Sequence, residues 1–127
     1  MITILAALTL VTSDPSPMAP NLFSATHPVL SSPPPAVLTV KTLPAPWGCI
    51  AFYESTDRPD AYNPSSGAAG YFGIEPATWA EYAPPGYPPS PLSADLVQQY
   101  TVAKAVLAGQ GWRAWETASL CGVSRND

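Results

Sequence analysis

Apolar and polar positions alternate with a helical period in only part of this chain. Trp47, Ile50, Ala51 and Glu54 fall at i, i+3, i+4 and i+7, one side of a two-turn helix. Pro46 suits the first helical position, where its missing N–H costs nothing. The pattern then breaks. From Asp57 to Gly73 the chain is rich in turn formers (Arg58-Pro59, Asn63-Pro64, Ser65, Ser66, Gly67, Gly70), and Tyr71-Phe72-Gly73-Ile74 reads as one short strand or a buried turn. Pro76 to Tyr82 reads as a second short helix, stopped by Pro84-Pro85-Gly86. Ser93 to Ala108 is the clearest helix, with Ser93 as its cap, Asp95 complementing the N-terminal dipole and Gly109 as its stop. Its inward stripe is Leu96, Tyr100, Ala103 and Leu107, with Val106 alongside. Trp112 and Trp115 fall in a last helical turn before Cys121. These elements predict a mainly α (α+β) domain with little sheet.

The region before Ala45 follows neither period. Nine of the 17 prolines stand between Asp14 and Pro46, so residues 14–44 read as an extended spacer. Ile2 to Val11 is an uncharged apolar run, too short to span a bilayer and suited to a signal-peptide core, although no positive charge precedes it. The expected organisation is a leader at 1–13, the spacer at 14–44, a domain at 45–123 and a tail at 124–127. So small a domain buries limited apolar area and often needs a staple. Cys49 and Cys121 stand at its two ends, and composition alone leaves them equally able to be a disulfide or two free buried thiols.

The net charge of −4 and the absence of a basic run argue against nucleic acid. His27, the only histidine, lies in the spacer, which disfavours Ser-His-Asp and Cys-His catalysis. Neither cysteine has metal-ligand spacing, and no phosphate-binding glycine loop is present, so no metal, nucleotide or other cofactor is expected. What remains is one carboxylate, Glu54, at the end of an apolar aromatic segment. A carboxyl held against apolar walls stays protonated toward neutrality and can act as a general acid.

Several spaced elements agree with one family: Cys49 five residues before Glu54-Ser55, then Gly67-Ala68-Ala69-Gly70, Pro76-Ala-Thr78-Trp79, Gln98-Gln99 and Gly111-Trp112 with Trp115. Together they resemble the lysozyme-like transglycosylases, and within them the small domains related to resuscitation-promoting factors. The resemblance covers Trp47 to Cys121. It implies a minimal lysozyme-like fold, a Cys49–Cys121 disulfide, and secretion to the cell wall. It also implies a peptidoglycan-cleaving glycosidase or lytic transglycosylase, with Glu54 as single acid/base at the bond between N-acetylmuramic acid and N-acetylglucosamine. Ser55, Asn63, Ser66, Tyr71, Glu75, Thr78 and Trp79 are candidate substrate contacts, and Tyr53, Tyr82 and Trp112 are further groove candidates. The implied partners are glycan strands and a wall endopeptidase, with the chain itself monomeric. Asp57 and Asp60 read as solvated turn residues and not as a second acid. One position departs from the pattern: where related domains carry a glutamine beside the acid, this chain has Gly73, with Glu75 two residues on. That departure favours the rival expectation of a catalytically silent wall-binding or virion module. A third, an intracellular protein with reduced cysteines, follows if the leader is not a leader.

Overall fold

The computed structural model describes residues 32–126. The chain divides into units 1–35 and 36–127; of the first, only the last four residues are described, and they are exposed and without regular structure. The expected leader and most of the spacer, with His27, lie outside the described residues. The second unit begins before the expected boundary at residue 45. Val40–Thr42 forms a turn of 3-10 helix, Leu43 is buried, and Leu38 and Val40 pack on the core.

Three α-helices follow: α1, Trp47–Ser55; α2, Pro76–Tyr82; and α3, Leu96–Gln110. Short 3-10 turns at Pro91–Ser93, Trp112–Ala114 and Glu116–Cys121 complete the helical content among the described residues. The β component is two isolated antiparallel bridges, Tyr62 with Ala69 and Ala69 with Ile74. They tie the segment between α1 and α2 into a small lobe. This is the mainly α, lysozyme-like architecture expected.

Trp47 organises the core. Its indole meets Phe72 and Trp115 edge-on at 5.6 and 5.3 Å, and Tyr100 and Trp112 at 5.5 and 5.0 Å. Ile50 and Ala51, on the same face of α1, are wholly buried. Truncating an aromatic at such a site costs about 3–5 kcal/mol. Pro46 stands one position outside α1, at its N-cap, and not at the first helical residue.

The long helix is shifted relative to the expectation. Asp95 is its cap: the carboxylate accepts from the Gln98 N–H at 2.8 Å, and the Gln98 side chain accepts from the Asp95 N–H at 3.1 Å. This reciprocal box outcompetes Ser93, which belongs to the preceding turn. The helix runs through Gly109 and ends at Gly111. Its buried face is Gln99, Val102, Ala103 and Val106; Leu96, Tyr100 and Leu107 flank it, partly exposed.

Gln99 is buried because it bonds three backbone groups. Its Oε1 accepts from the Tyr71 N–H at 2.7 Å, and its Nε2 donates to the carbonyls of Pro91 and Ala94, both at 3.0 Å. The amide thus fastens the lobe and the loop after α2 to α3. Gly70 stands directly against it, with φ +78°, and a Cβ there would collide with the Gln99 amide and with Pro91.

The disulfide is present between Cys49 and Cys121, with Cα atoms 5.8 Å apart and a sequence separation of 72. It joins α1 to the last 3-10 turn.

Candidate active site

Glu54 is the penultimate residue of α1 and points from the edge of its buried face. The helix stops sharply after it. Thr56 and Asp57 both take left-handed backbone, φ 55° and 59°, and the Thr56 N–H returns to the Phe52 carbonyl at 2.8 Å. Ser55 braces this turn from inside: its hydroxyl donates to the Ala51 carbonyl at 2.8 Å and accepts from the Arg58 N–H at 3.2 Å. It is buried with its hydroxyl engaged by the backbone, and it also lines the cleft beside Glu54.

The carboxyl of Glu54 is half-buried, and two neighbours define its faces. The Thr117 hydroxyl donates to Oε1 at 2.6 Å. On the other side lies Gly73, where a Cβ would stand 2.7 Å from Oε2. Gly73 has φ +59°, so both its conformation and its closeness to the carboxyl suit a residue without a side chain. Burial raises the Glu54 pKa above the ordinary glutamate value; the Thr117 bond lowers it and the charge of Glu116 raises it, both to a smaller extent. The net direction is upward, as a general acid requires.

Two segments of a cleft meet at this carboxyl. One, about 270 Å³, runs between the end of α1 and the lobe, past Arg58, Ala61, Tyr62 and Asn63. The other, about 470 Å³, runs past Ser66 and Glu75 toward Arg113, Glu116, Thr117 and Arg125. Glu54, Asn63, Ala68 and Gly73 line both. An elongated ligand crossing from one segment to the other passes over Glu54.

The candidate contacts divide accordingly. Asn63, Ser66 and Glu75 line the cleft with Glu54. The Asn63 carboxamide oxygen also accepts from the Ser65 N–H and the Ser66 hydroxyl from the Ala68 N–H, so both hold the lobe's turns as well. Thr78 lies further along, in a hollow of about 280 Å³ that shares Gly73, Glu75 and Arg113 with the cleft. Trp79 is a core residue, 1% exposed, with its indole N–H donating to the Pro88 carbonyl at 2.7 Å. Tyr71 packs against Phe72, Trp112 against Trp47, and Tyr82 beside Gly109. Tyr53 is exposed and stacks edge-on with Phe52. None of these aromatics lines either segment meeting at Glu54. Their place is taken by Tyr62, 59% exposed on the cleft rim.

Sequence reasoning passed over Thr117, Glu116 and Tyr62. Thr117 stands 63 residues from Glu54, and the signal that pointed toward it was Cys121, four residues on, whose bridge to Cys49 brings that turn against α1. Asp57 and Asp60 do not line the cleft; the further carboxylates that do are Glu75 and Glu116, both exposed. Among the described residues no group of three or more His, Cys, Asp or Glu is placed to hold a metal ion.

The family model for the transglycosylase-like domain matches residues 42–118. The resuscitation-promoting factor RpfC of Mycobacterium tuberculosis (strain ATCC 35801 / TMC 107 / Erdman) is 39% identical over 82 residues. That alignment covers 64% of this chain and 54% of the relative, so the chain matches about half of that protein's length. No solved structure matches. With the helices, the lobe and the carboxyl between them in place, the chain belongs to the transglycosylase-like domain family of lysozyme-like proteins, related to the resuscitation-promoting factors.

Proposed function

We propose that this protein is a peptidoglycan lytic transglycosylase that cleaves the β-1,4 bond between N-acetylmuramic acid and N-acetylglucosamine, with Glu54 as its single acid/base. The observation that carries the proposal is the position of the Glu54 carboxyl. It is half-buried, pushed toward its protonated form, and set where two cleft segments join.

The two oxygens of the carboxyl have different roles. Thr117 donates to Oε1, so the acid proton resides on Oε2, on the Gly73 side, where nothing but backbone separates it from the cleft. Oε2 protonates the bridging oxygen as the glycosidic bond breaks. The resulting carboxylate takes the proton of the muramic C6 hydroxyl as that oxygen attacks the anomeric carbon, leaving a 1,6-anhydro end. Thr117 steadies the carboxylate during this second half, since a hydroxyl bonds more strongly to a charged acceptor than to a neutral one. Asn63, Ser66 and Glu75 contact the glycan strand from the lobe side.

Hydrolysis has one observation in its favour. Glu75 and Glu116 line the same cleft segment as Glu54, and most glycoside hydrolases use a second carboxylate to hold water or form a covalent intermediate. The protein acts at the cell wall as a secreted monomer, beside an endopeptidase that cuts the peptide cross-links.

The test is mass spectrometry of fragments released from purified peptidoglycan by the full chain and by Glu54→Gln. Fragments with anhydro-muramic ends, absent with the variant, are expected. Reducing muramic ends would replace the transglycosylase reading with a muramidase. Wall binding without release by either protein would overturn the enzyme reading and leave a silent binding module, with Gly73 as the lesion.

A further inference from the structure

We propose that the end of the cleft at Arg113 and Arg125 is an anion subsite that takes carboxylates of the peptide carried by the glycan strand. This rests on the glycan-binding reading of the same cleft.

The chain has five cationic side chains against nine acidic ones, and their placement is uneven. Lys104 stands over the Tyr100 ring at 4.5 Å and Lys41 lies in the first 3-10 turn, both away from the cleft. All three arginines line it. Arg58, in the smaller segment, is paired with Asp60 at 3.5 Å, which is the one salt bridge among the described residues. Arg113 and Arg125 line the larger segment, and beyond it they line a concavity of about 540 Å³. Among the described residues, the rest of that concavity is Gln110, Gly111 and Asn126, with no acidic side chain.

The two guanidiniums are braced by the backbone. Arg113 Nε donates to the Gln110 carbonyl at 2.9 Å, and Arg125 Nη2 donates to the Arg113 carbonyl at 3.2 Å. A guanidinium carries five N–H donors, so each keeps several for a ligand. Arg113 is carried on a turn between Trp112 and Trp115, and Trp115 is buried with its indole N–H on the Phe72 carbonyl at 3.0 Å. Two braced guanidiniums border one concavity, and each offers the planar donor fork that suits a carboxylate.

The charge along the cleft fits a ligand with a neutral stretch and an anionic one. Glu116 acts on the Glu54 carboxyl and, with Glu75, lines the segment that Glu54 shares with the two arginines, whereas the concavity beyond is lined by the arginines without either glutamate; the sugar backbone at Glu54 is uncharged. The peptide hangs from the lactyl ether of the muramic acid, and its first side-chain or α-carboxylates come within a residue or two. Each extended residue spans about 3.3–3.6 Å, so this anion reaches past the sugar site. In a protein of net charge −4, this is the place where such an anion is attracted and not repelled.

The experiment uses Glu54→Gln as the background, so that binding is read without cleavage. Soluble glycan strands bearing their peptides, and the same strands stripped by an amidase, are titrated by calorimetry at two salt concentrations. The peptide-bearing strand is expected to bind about tenfold more tightly at low salt, with the advantage shrinking as salt rises. Arg113→Gln with Arg125→Gln removes that preference, and the paired lysine variants restore part of it; circular dichroism checks that each variant is folded. Equal affinity for the two strands, no measurable binding of either, or a preference that survives the double Gln substitution overturns the subsite. Cleavage by the wild-type chain is read separately. A peptide preference without cleavage leaves the subsite standing and removes the enzyme reading, whereas cleavage with no dependence on these arginines does the reverse.

Discussion

Removing the Cys49–Cys121 bridge should cost this protein a large share of its stability and loosen its active site in the same step. The cross-link closes 72 residues. Chain-entropy bookkeeping for a loop of that length gives about 4.4 kcal/mol at 25 °C, acting on the unfolded ensemble. A domain of this size is stable by roughly 5–13 kcal/mol in all, so the reduced protein is left marginal. At about 4–8 °C per kcal/mol the melting temperature falls by roughly 18–35 °C. The assay is urea unfolding followed by tryptophan fluorescence, since the Trp47 cluster disperses on unfolding. Oxidised protein, reduced protein and Cys49→Ala/Cys121→Ala are compared. The denaturant slope is expected to rise on reduction, because an uncrosslinked unfolded chain exposes more surface. Thr117 is four residues from Cys121, so reduction also frees the turn that bonds Glu54. Activity measured below the unfolding midpoint is then lost ahead of global structure. A stability difference under about 1 kcal/mol between oxidised and reduced protein would refute the reasoning, as would reduced protein with unaltered activity.

Three further outcomes follow from the carboxyl's surroundings. Thr117→Val keeps the side-chain shape and removes the donor to Oε1; that bond lowers the Glu54 pKa, so the falling alkaline limb of kcat/KM moves to higher pH, while Thr117→Ser leaves it in place. A limb that does not move would show that Thr117 is a packing residue only. Glu54→Gln melts at a higher temperature than wild type at pH 7: the folded pKa lies above the unfolded value of 4.5, so the ionised carboxyl is a penalty at neutral pH. The gap closes as pH falls below that unfolded value, and a constant gap down to acid pH would contradict the burial argument. Gly73→Gln, which supplies the side chain related domains have here, lowers activity instead of raising it. Its Cβ displaces the Glu54 carboxyl and its backbone must hold φ near +59°, at a cost of about 1–3 kcal/mol visible in the same melts.

The parts of the site legible in the sequence were those written locally. Trp47, Ile50, Ala51 and Glu54 share one helix face by spacing alone, and α2 runs from Pro76 to Tyr82 because proline opens it and Pro84-Pro85 forbid its extension. The register of α3 was less legible. Ser93 and Asp95 both cap helices well, and the reciprocal bond from Gln98 decided for Asp95. Burial of Gln99 turned the inward face by one residue, because a polar side chain took a core position that an apolar count assigns elsewhere. Trp79 and Tyr71 are cleft candidates by chemical type, whereas the indole bond to the Pro88 carbonyl holds Trp79 in the core and the Tyr71 ring packs against Phe72. Thr117, Arg113 and Arg125 were the least legible, since the one signal near them in sequence is Cys121. Their meaning comes from the chain's return to α1 at Cys121.

That return makes residues 49–121 a closed covalent ring, and every group assigned to bond cleavage, from Glu54 to Thr117, is inside it. A protease that cuts the proline-rich loop between α2 and α3, at residues 83–90, opens the ring into a line and does not divide the molecule. The nicked pieces migrate as one species until reductant is added. The segment preceding Cys49 is outside the ring, and Leu38, Val40, Leu43 and Trp47 are held to the core by packing, so a cut before them severs what lies upstream and leaves the ring whole. Under proteolysis the two regions therefore age differently, the upstream segment by severance and the ring by nicks that do not part it.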